Sequence, residues 1–223
     1  MKVGVDSVML GAWTNAENMN SVLDVGTGTG LLALMLAQKT KAQITAIEMD
    51  ENAFNQALEN VVASKWADRV EVLHIPFQEF VKKTKKRFEL IICNPPYFSG
   101  SLKSPKKQRN TARHDDDLKL GDLFLGAKQI LSKNGSLNLI YPYLQKEQLC
   151  SVAKQYGFYP AKVLQLKANE KKEPYRFVVQ LVLQKTDVKT KVLEIRNTET
   201  NDYSEEFKLL TKDFYPNQPH SKI

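Results

Sequence analysis

The chain has 223 residues, of which 42% are hydrophobic and 26% are charged. These proportions are ordinary for a soluble globular protein and exclude a disordered chain, and no apolar run reaches the ~18–20 residues of a membrane-spanning helix. Lys and Arg outnumber Asp and Glu by 32 to 25, which gives a net charge of +7 and permits a polyanionic partner without requiring one.

The few cysteines and histidines exclude two further classes of protein. Cys93 and Cys150 lie far apart, which argues against a disulfide scaffold, and no Cys/His pair has the spacing of metal ligands. No secretory signal is visible at the N-terminus. We therefore expect a cytoplasmic protein without a bound metal.

Apolar runs that predict strands alternate with longer amphipathic runs that predict helices. The predicted strands are residues 22–25, 43–47, 70–73, 88–93 and 136–141, and the predicted helices are residues 31–39, 51–65, 118–131 and 146–155. Asn134-Gly135 is expected to end the third of these helices. Strands separated by helices of this length form a parallel sheet that is covered on both faces.

Two further predicted strands, residues 161–167 and 176–184, are connected differently. Only residues 168–174 join them, which is too short for a helical crossover, so these strands should be antiparallel. The sequence therefore predicts an α/β fold with a doubly wound, mostly parallel, seven-stranded sheet that ends in a C-terminal antiparallel hairpin strand.

A glycine-rich turn joins the first predicted strand to the first predicted helix. Gly26, Gly28 and Gly30 have the spacing G-x-G-x-G, which differs from the G-x-G-x-x-G of dinucleotide enzymes. Glycines allow positive φ angles and let a ligand approach the backbone closely. Asp24 places a carboxylate at the same strand end, where it would repel a pyrophosphate and attract an ammonium group.

A second acid, Glu48, ends the second predicted strand, where a carboxylate can accept hydrogen bonds from both hydroxyls of a ribose. Asp50 is an alternative ribose ligand, although it suits the cap of the helix that begins at Glu51. The turn and the acid together predict a cofactor with a ribose, a cationic amino-acid end and no diphosphate, which is S-adenosylmethionine. The alternative is a turn that only packs the strand on the helix.

The segment Asn94-Pro95-Pro96-Tyr97 follows the fourth predicted strand at the same edge of the sheet. The Asn94 side-chain oxygen and the Pro95 carbonyl can both accept hydrogen bonds from one –NH2 group, which directs the nitrogen lone pair toward an incoming methyl. Tyr97 can stack on the ring that carries this amine, and Pro96 fixes the backbone beside it. The segment predicts N-methylation by orientation and polar pre-organisation, with Asn94, Pro95 and Tyr97 as catalytic residues. A simple strand-ending turn is the alternative.

These residues resemble those of the class I S-adenosylmethionine-dependent amino-methyltransferases, a family with a Rossmann-like sheet that ends in an antiparallel hairpin strand. More narrowly, the chain resembles the bacterial tRNA1(Val) adenine-N6 methyltransferases. This resemblance implies transfer of methyl to N6 of the adenosine just 3′ of the valine tRNA anticodon. The segments that carry it are Lys2 to Trp13, Asn94 to Phe98, Ala112 to His114, and Tyr203 to Tyr215.

The resemblance also implies two further cofactor contacts. The N-terminal segment of the family closes over the cofactor, so Asp6 is expected to contact it. After the third strand the superfamily often places a polar residue against the adenine, whereas this chain has Ile75-Pro76-Phe77-Gln78. Phe77 is therefore expected to pack against the adenine. Trp13, in the N-terminal segment, suits either core packing or a stacking platform.

A long basic loop follows the proposed target pocket, and it contains no acid. Its cations are Lys103, Lys106, Lys107, Arg109 and Arg113. They could track the phosphate backbone of tRNA, or they could form a solvated loop. Arg113 and the adjacent His114 could contact the RNA or brace the loop. We expect a monomer that binds valine tRNA and does not bind a membrane.

We expect one domain over residues 1–223, with a cofactor-covering lead-in at residues 1–20, a basic substrate loop at residues 98–114 and a C-terminal extension at residues 197–223. Phe207, Leu209, Leu210 and Phe214 could dock a final helix in that extension. Other –NH2 substrates remain open, namely a release-factor glutamine, an rRNA guanine or a DNA adenine. A catalytically silent RNA-binding module is the alternative outside enzymes.

Overall fold

The computed structural model describes residues 4–95 and 120–215, and it centres on one eight-stranded sheet with the strand order β3-β2-β1-β4-β5-β7-β6-β8. The strands are β1 Ser21–Val25, β2 Gln43–Glu48, β3 Val70–His74, β4 Phe88–Cys93, β5 Leu131–Pro142, β6 Tyr159–Lys167, β7 Arg176–Val182 and β8 Lys189–Glu194. The first five strands pair in parallel, and β7 is antiparallel to both β5 and β6. The predicted fold class is therefore confirmed.

The sheet has one strand more than the seven expected, because β8 adds in parallel to the outer side of β6. This edge strand has four consecutive exposed residues, Lys189 to Val192, before the buried Leu193. Its sequence therefore lacks the apolar alternation by which strands are found.

Seven α-helices are described, and they pack on both faces of the sheet. They are α1 Val5–Trp13, α2 Leu31–Lys39, α3 Glu51–Val62, α4 Phe77–Lys83, α5 Leu120–Ile130, α6 Lys146–Gln155 and α7 Glu205–Thr211. The prediction that Asn134-Gly135 ends a helix is wrong. Helix α5 ends at Ile130 and β5 begins at once, so both residues lie inside the strand.

One apolar layer lies on each face of the sheet. Phe80 of α4, Phe124 of α5 and Leu149 of α6 pack in the first layer, against residues such as Leu139 of β5. The second layer packs α1, α2 and α7 against the other face and includes the following buried residues: Met9, Leu10, Leu36, Ile140, Val178 and Phe207. Within residues 4–95 and 120–215, no helix combines the length and the apolar character needed to cross a membrane.

Helices α1 and α2 approach each other closely. A Cβ atom on Gly11 would lie 2.8 Å from the end of the Met35 side chain, so a larger residue here would force that side chain to move. Lys39, at the end of α2, donates from Nζ to the carbonyl oxygens of Gly11, Ala12 and Thr14. Since these carbonyls close the last turn of α1, Lys39 holds that helix in place.

The C-terminal extension contains the expected final helix. Phe207 of α7 is only 2% exposed, and its ring stacks on Tyr203 with the ring centroids 4.6 Å apart. Ser204 caps the helix, because its hydroxyl accepts a hydrogen bond from the Phe207 N–H at 3.1 Å. Leu209 is 67% exposed and takes no part in the docking.

Candidate active site

Three strand ends meet at one edge of the sheet. Val25 of β1 is paired with Ile47 of β2 on one side and with Cys93 of β4 on the other. The glycine turn, Glu48 and Asn94 follow these three residues directly, so the register brings them side by side. Ligands of open α/β sheets bind at such carboxyl edges.

The glycine turn is held on the end of β2. The N–H groups of Gly26 and Thr27 both donate to the Ile47 carbonyl, each at 3.0 Å. Gly26, Gly28 and Gly30 have φ angles of +67°, +60° and +81°, which is the left-handed region. A Cβ atom on Gly26 would meet nothing within 4 Å, so the space beside this residue is open. The turn thus offers a ligand close access to the backbone.

Asp24 lies behind this turn with no solvent exposure. Its Oδ2 accepts hydrogen bonds from Thr27 Oγ1 at 2.5 Å and from the Ala33 N–H at 3.1 Å, whereas its Oδ1 has no hydrogen-bond partner among the described residues. Burial, which outweighs these two bonds, raises the pKa of Asp24 from 3.8 to about 7, and the Glu48 carboxylate adds to the rise. The site therefore holds an acid that a nearby cation would ionise.

Glu48 is 9% exposed and is oriented by backbone donors. Its Oε2 accepts from the Gly28 N–H at 2.8 Å, and its Oε1 accepts from the N–H groups of Met49 and Asp50 at 2.9 and 3.0 Å. Asp50 itself caps α3, because its carboxylate accepts from the Ala53 N–H at 2.9 Å. The structure thus commits the Asp50 side chain to the helix and leaves Glu48 at the strand edge.

Asn94 is held by the N-terminal helix. Its Nδ2 donates to Ser7 Oγ of α1 at 2.9 Å, which fixes the amide with its nitrogen toward Ser7. Pro95 is buried directly after it. Pro96, Tyr97, all five cations of the basic loop and His114 lie outside the described residues, so their roles stay predictions.

Asp6, also on α1, forms an ion pair with Arg176 of β7. Asp6 Oδ2 accepts from Arg176 Nε at 2.9 Å, and about a quarter or less of each side chain is exposed. This pair fastens the start of α1 to the antiparallel part of the sheet. The cofactor contact expected of Asp6 stays a prediction beside this structural role.

Phe77 begins α4 and is 5% exposed. A Cβ atom on Gly126 of α5 would lie 2.5 Å from its ring, so the two helices touch at this point. The structure therefore gives the Phe77 ring a packing role in the core. Its expected contact with an adenine stays a prediction.

Sequence reasoning missed three residues that shape this site, namely Ser7, Thr27 and Arg176. Thr27 lies inside the glycine turn, three residues after Asp24, and this spacing could have indicated that its hydroxyl donates to the Asp24 carboxylate. Ser7 lies 87 residues from Asn94, and Arg176 lies 170 residues from Asp6. No local pattern reports contacts over such separations.

Comparisons with known proteins agree with this geometry. The sequence model of the methyltransferase small domain matches residues 7–156. A tRNA1(Val) (adenine(37)-N6)-methyltransferase of Bacteroides fragilis is 40% identical over 216 residues, which cover 96% of this chain and 91% of the relative. A protein of the same name from Flavobacterium psychrophilum is 40% identical over 217 residues, with 96% and 92% covered.

Solved structures share the fold at low sequence identity. A predicted O-methyltransferase from Agrobacterium tumefaciens matches with a TM-score of 0.73 at 17% identity, over 93% of this chain and 95% of that one. A methyltransferase from Pyrococcus furiosus matches with a TM-score of 0.58 at 18% identity, over 81% and 83%. Site geometry, domain match and full-length similarity agree, and the chain belongs to the methyltransferase small-domain family, among the tRNA1(Val) (adenine(37)-N6)-methyltransferases.

Proposed function

We propose that this protein transfers the methyl group of S-adenosylmethionine to N6 of adenosine 37 in tRNA1(Val). The observation that carries the proposal is the register of β1, β2 and β4, which sets the glycine turn, Glu48 and Asn94 at one edge of the sheet. Relatives that are 40% identical over almost the whole chain bear the name of this activity. Because tRNA is the substrate, we also propose a cytoplasmic site of action.

The residues at this edge fit the proposed cofactor. Glu48 accepts three backbone N–H bonds, and a carboxylate has about four lone-pair positions, so one position is left for a ribose hydroxyl. Asp24 has a buried Oδ1 without a partner among the described residues and a raised pKa. A bound ammonium group would favour its ionised form through the electrostatic field, although Asp24 lies behind the turn. When bound, S-adenosylmethionine supplies an electrophilic methyl group on a sulfonium.

The target amine is held by Asn94 and Pro95. Because the Asn94 nitrogen donates to Ser7, the side-chain oxygen is the atom that can accept from an –NH2 group. The Pro95 carbonyl supplies a second acceptor, and two such bonds point the lone pair of N6 toward the methyl donor. The amine needs no strong base, because it sheds its proton after the new C–N bond has formed. Tyr97, Pro96 and the basic loop complete the proposed substrate site, in one domain over residues 1–223.

The test compares Asn94→Ala with Ser7→Ala, measuring methyl transfer to unmodified valine tRNA. Both variants lose the same hydrogen bond, but only Asn94→Ala loses the acceptor for the target amine. We expect Asn94→Ala to lower kcat by about 10²-fold or more, with cofactor affinity unchanged, and Ser7→Ala to lower it far less. Equal losses in the two variants would reject the role of Asn94. No methylation of valine tRNA by wild-type protein that binds the cofactor would reject the substrate.

A further inference from the structure

A row of polar side chains crosses four strands on one face of the sheet. Asn138 of β5 is paired with Gln180 of β7, Gln180 with Lys162 of β6, and Lys162 with Lys189 of β8. Residues paired in this way point to the same face of a sheet. The neighbouring row on this face, which includes Ile140, is buried in the core layer. The polar row therefore lies directly beside apolar core residues of the same face.

This row forms one side of a cavity of about 360 Å³ at the end of α1. Trp13, the last residue of α1, Asn15 just after it and Lys191 of β8 also line the cavity. Trp13 is also packed in part against the core layer beneath α1. One part of the indole is thus held by protein, and another part faces the cavity. This arrangement suits a stacking platform.

The floor of the cavity contains a buried polar group that the protein does not satisfy. Asn138 is 1% exposed, and its Nδ2 donates to Thr14 Oγ1 at 3.1 Å. Its Oδ1 has no hydrogen-bond partner within the two described ranges. Buried acceptors are nearly always paired, because an unpaired one forfeits its bonds to water. An N–H or O–H group of a ligand would satisfy it.

The rim of the cavity carries unbalanced positive charge. Lys162, Lys189 and Lys191 are exposed, and in the described part of the chain none of them forms an ion pair. Lys162 and Lys189 are direct cross-strand partners, a placement in which like charges repel. An anion between them would relieve the repulsion, and lysines bind phosphate as mobile point charges.

We propose that this cavity binds a second nucleotide of the tRNA substrate, outside the target adenosine. The three lysines hold its phosphate, Trp13 stacks on its base or ribose, and Asn138 Oδ1 accepts a hydrogen bond from its hydroxyl or amino group. The inference rests on the proposed function, because it assigns the ligand to the same RNA. Helix α1 joins the two sites, because its Ser7 contacts Asn94 and its Trp13 lines the cavity. These two residues are six positions apart, which corresponds to a rise of about 9 Å along the helix. One RNA molecule can reach both.

The first experiment uses Trp13 as a reporter. The chain has two tryptophans, so Trp66→Phe leaves Trp13 as the only indole. We expect unmodified valine tRNA to quench its emission with saturation, and inorganic phosphate and AMP to act only at far higher concentration. Unchanged emission under conditions where tRNA binds would overturn the proposal. Quenching by phosphate or AMP as strong as by tRNA would also overturn it, in favour of a free-anion site.

The second experiment compares two triple variants that lose the same charge. One is Lys162→Gln/Lys189→Gln/Lys191→Gln, and the control is Lys41→Gln/Lys133→Gln/Lys154→Gln, which changes exposed lysines elsewhere. The plot of log K for tRNA against log salt should become shallower by about 0.7–0.9 for each phosphate that the cavity variant no longer neutralises, and stay unchanged in the control. Trp13→Leu should weaken tRNA binding about tenfold. Equal slopes for both triple variants would overturn the cavity proposal, even if the wild-type protein methylates tRNA. If the wild-type protein does not methylate tRNA, that result counts against the proposed function instead.

Discussion

Replacing Asp24 by asparagine should stabilise the protein at alkaline pH, although Asp24 belongs to the proposed cofactor site. Both hydrogen bonds to its carboxylate end on Oδ2, so an amide oxygen can accept them equally well. The amide nitrogen would then replace Oδ1, which has no partner among the described residues. The amide would be neutral at every pH, so the cost of burying a charge would disappear.

The size of the effect follows from the pKa of Asp24, which burial raises from 3.8 to about 7. Between these two values the folded state binds more protons than the unfolded state, so the stability of the wild-type protein falls as pH rises. A shift of about three units corresponds to roughly 4 kcal/mol in total, of which about 2–3 kcal/mol is lost between pH 5 and pH 8. Asp24→Asn removes this loss.

The assay is urea unfolding of the wild-type protein and the variant near pH 5 and pH 8. The unfolding free energy of Asp24→Asn minus that of the wild-type protein should be about 2–3 kcal/mol larger near pH 8 than near pH 5. Asp50→Asn is the matched control, because it changes an exposed helix cap for an equally good one and should show no such trend. A difference for Asp24→Asn that is constant with pH would refute the reasoning.

Three further predictions concern the elements around the site. Lys39→Met should lower the unfolding free energy by roughly 1.5–3 kcal/mol, because three carbonyls at the end of α1 lose their charged donor. A urea unfolding curve that matches the wild-type curve would contradict this prediction. Gly26→Ala should lower the unfolding free energy by about 1–2 kcal/mol through its positive φ alone. Gly4→Ala, at a φ of −89° in open space, affects only the N-cap of α1 and should cost less. Burial raises the pKa of the Cys93 thiol well above its usual range, so iodoacetamide should modify this residue only after unfolding. Mass spectrometry of the treated protein measures the modification, and rapid labelling of the native protein would disprove the burial of Cys93.

Much of the fold is predictable from local sequence. The predicted bounds of α2, α6 and β4 agree with the structure to the residue. These elements have strong apolar periodicity and clear ends, and both properties depend only on neighbouring residues. Helices α1 and α4 were not predicted as helices, since their sequences lie in segments that suggested ligand contacts. The edge strand β8 is too exposed to show any periodicity.

The sequence by itself determined the chemistry available at the site. The glycine spacing, the acids that end two strands and the Asn94-Pro95 segment are local features, and the parallel sheet follows from alternating strands and helices. Only the tertiary structure decided which partners these groups have. The bond between Asn94 and Ser7, the ion pair of Asp6 with Arg176, and the polar row that begins at Asn138 all join distant parts of the chain. Such contacts depend on how whole elements pack, and side-chain periodicity within one element carries no information about its partner.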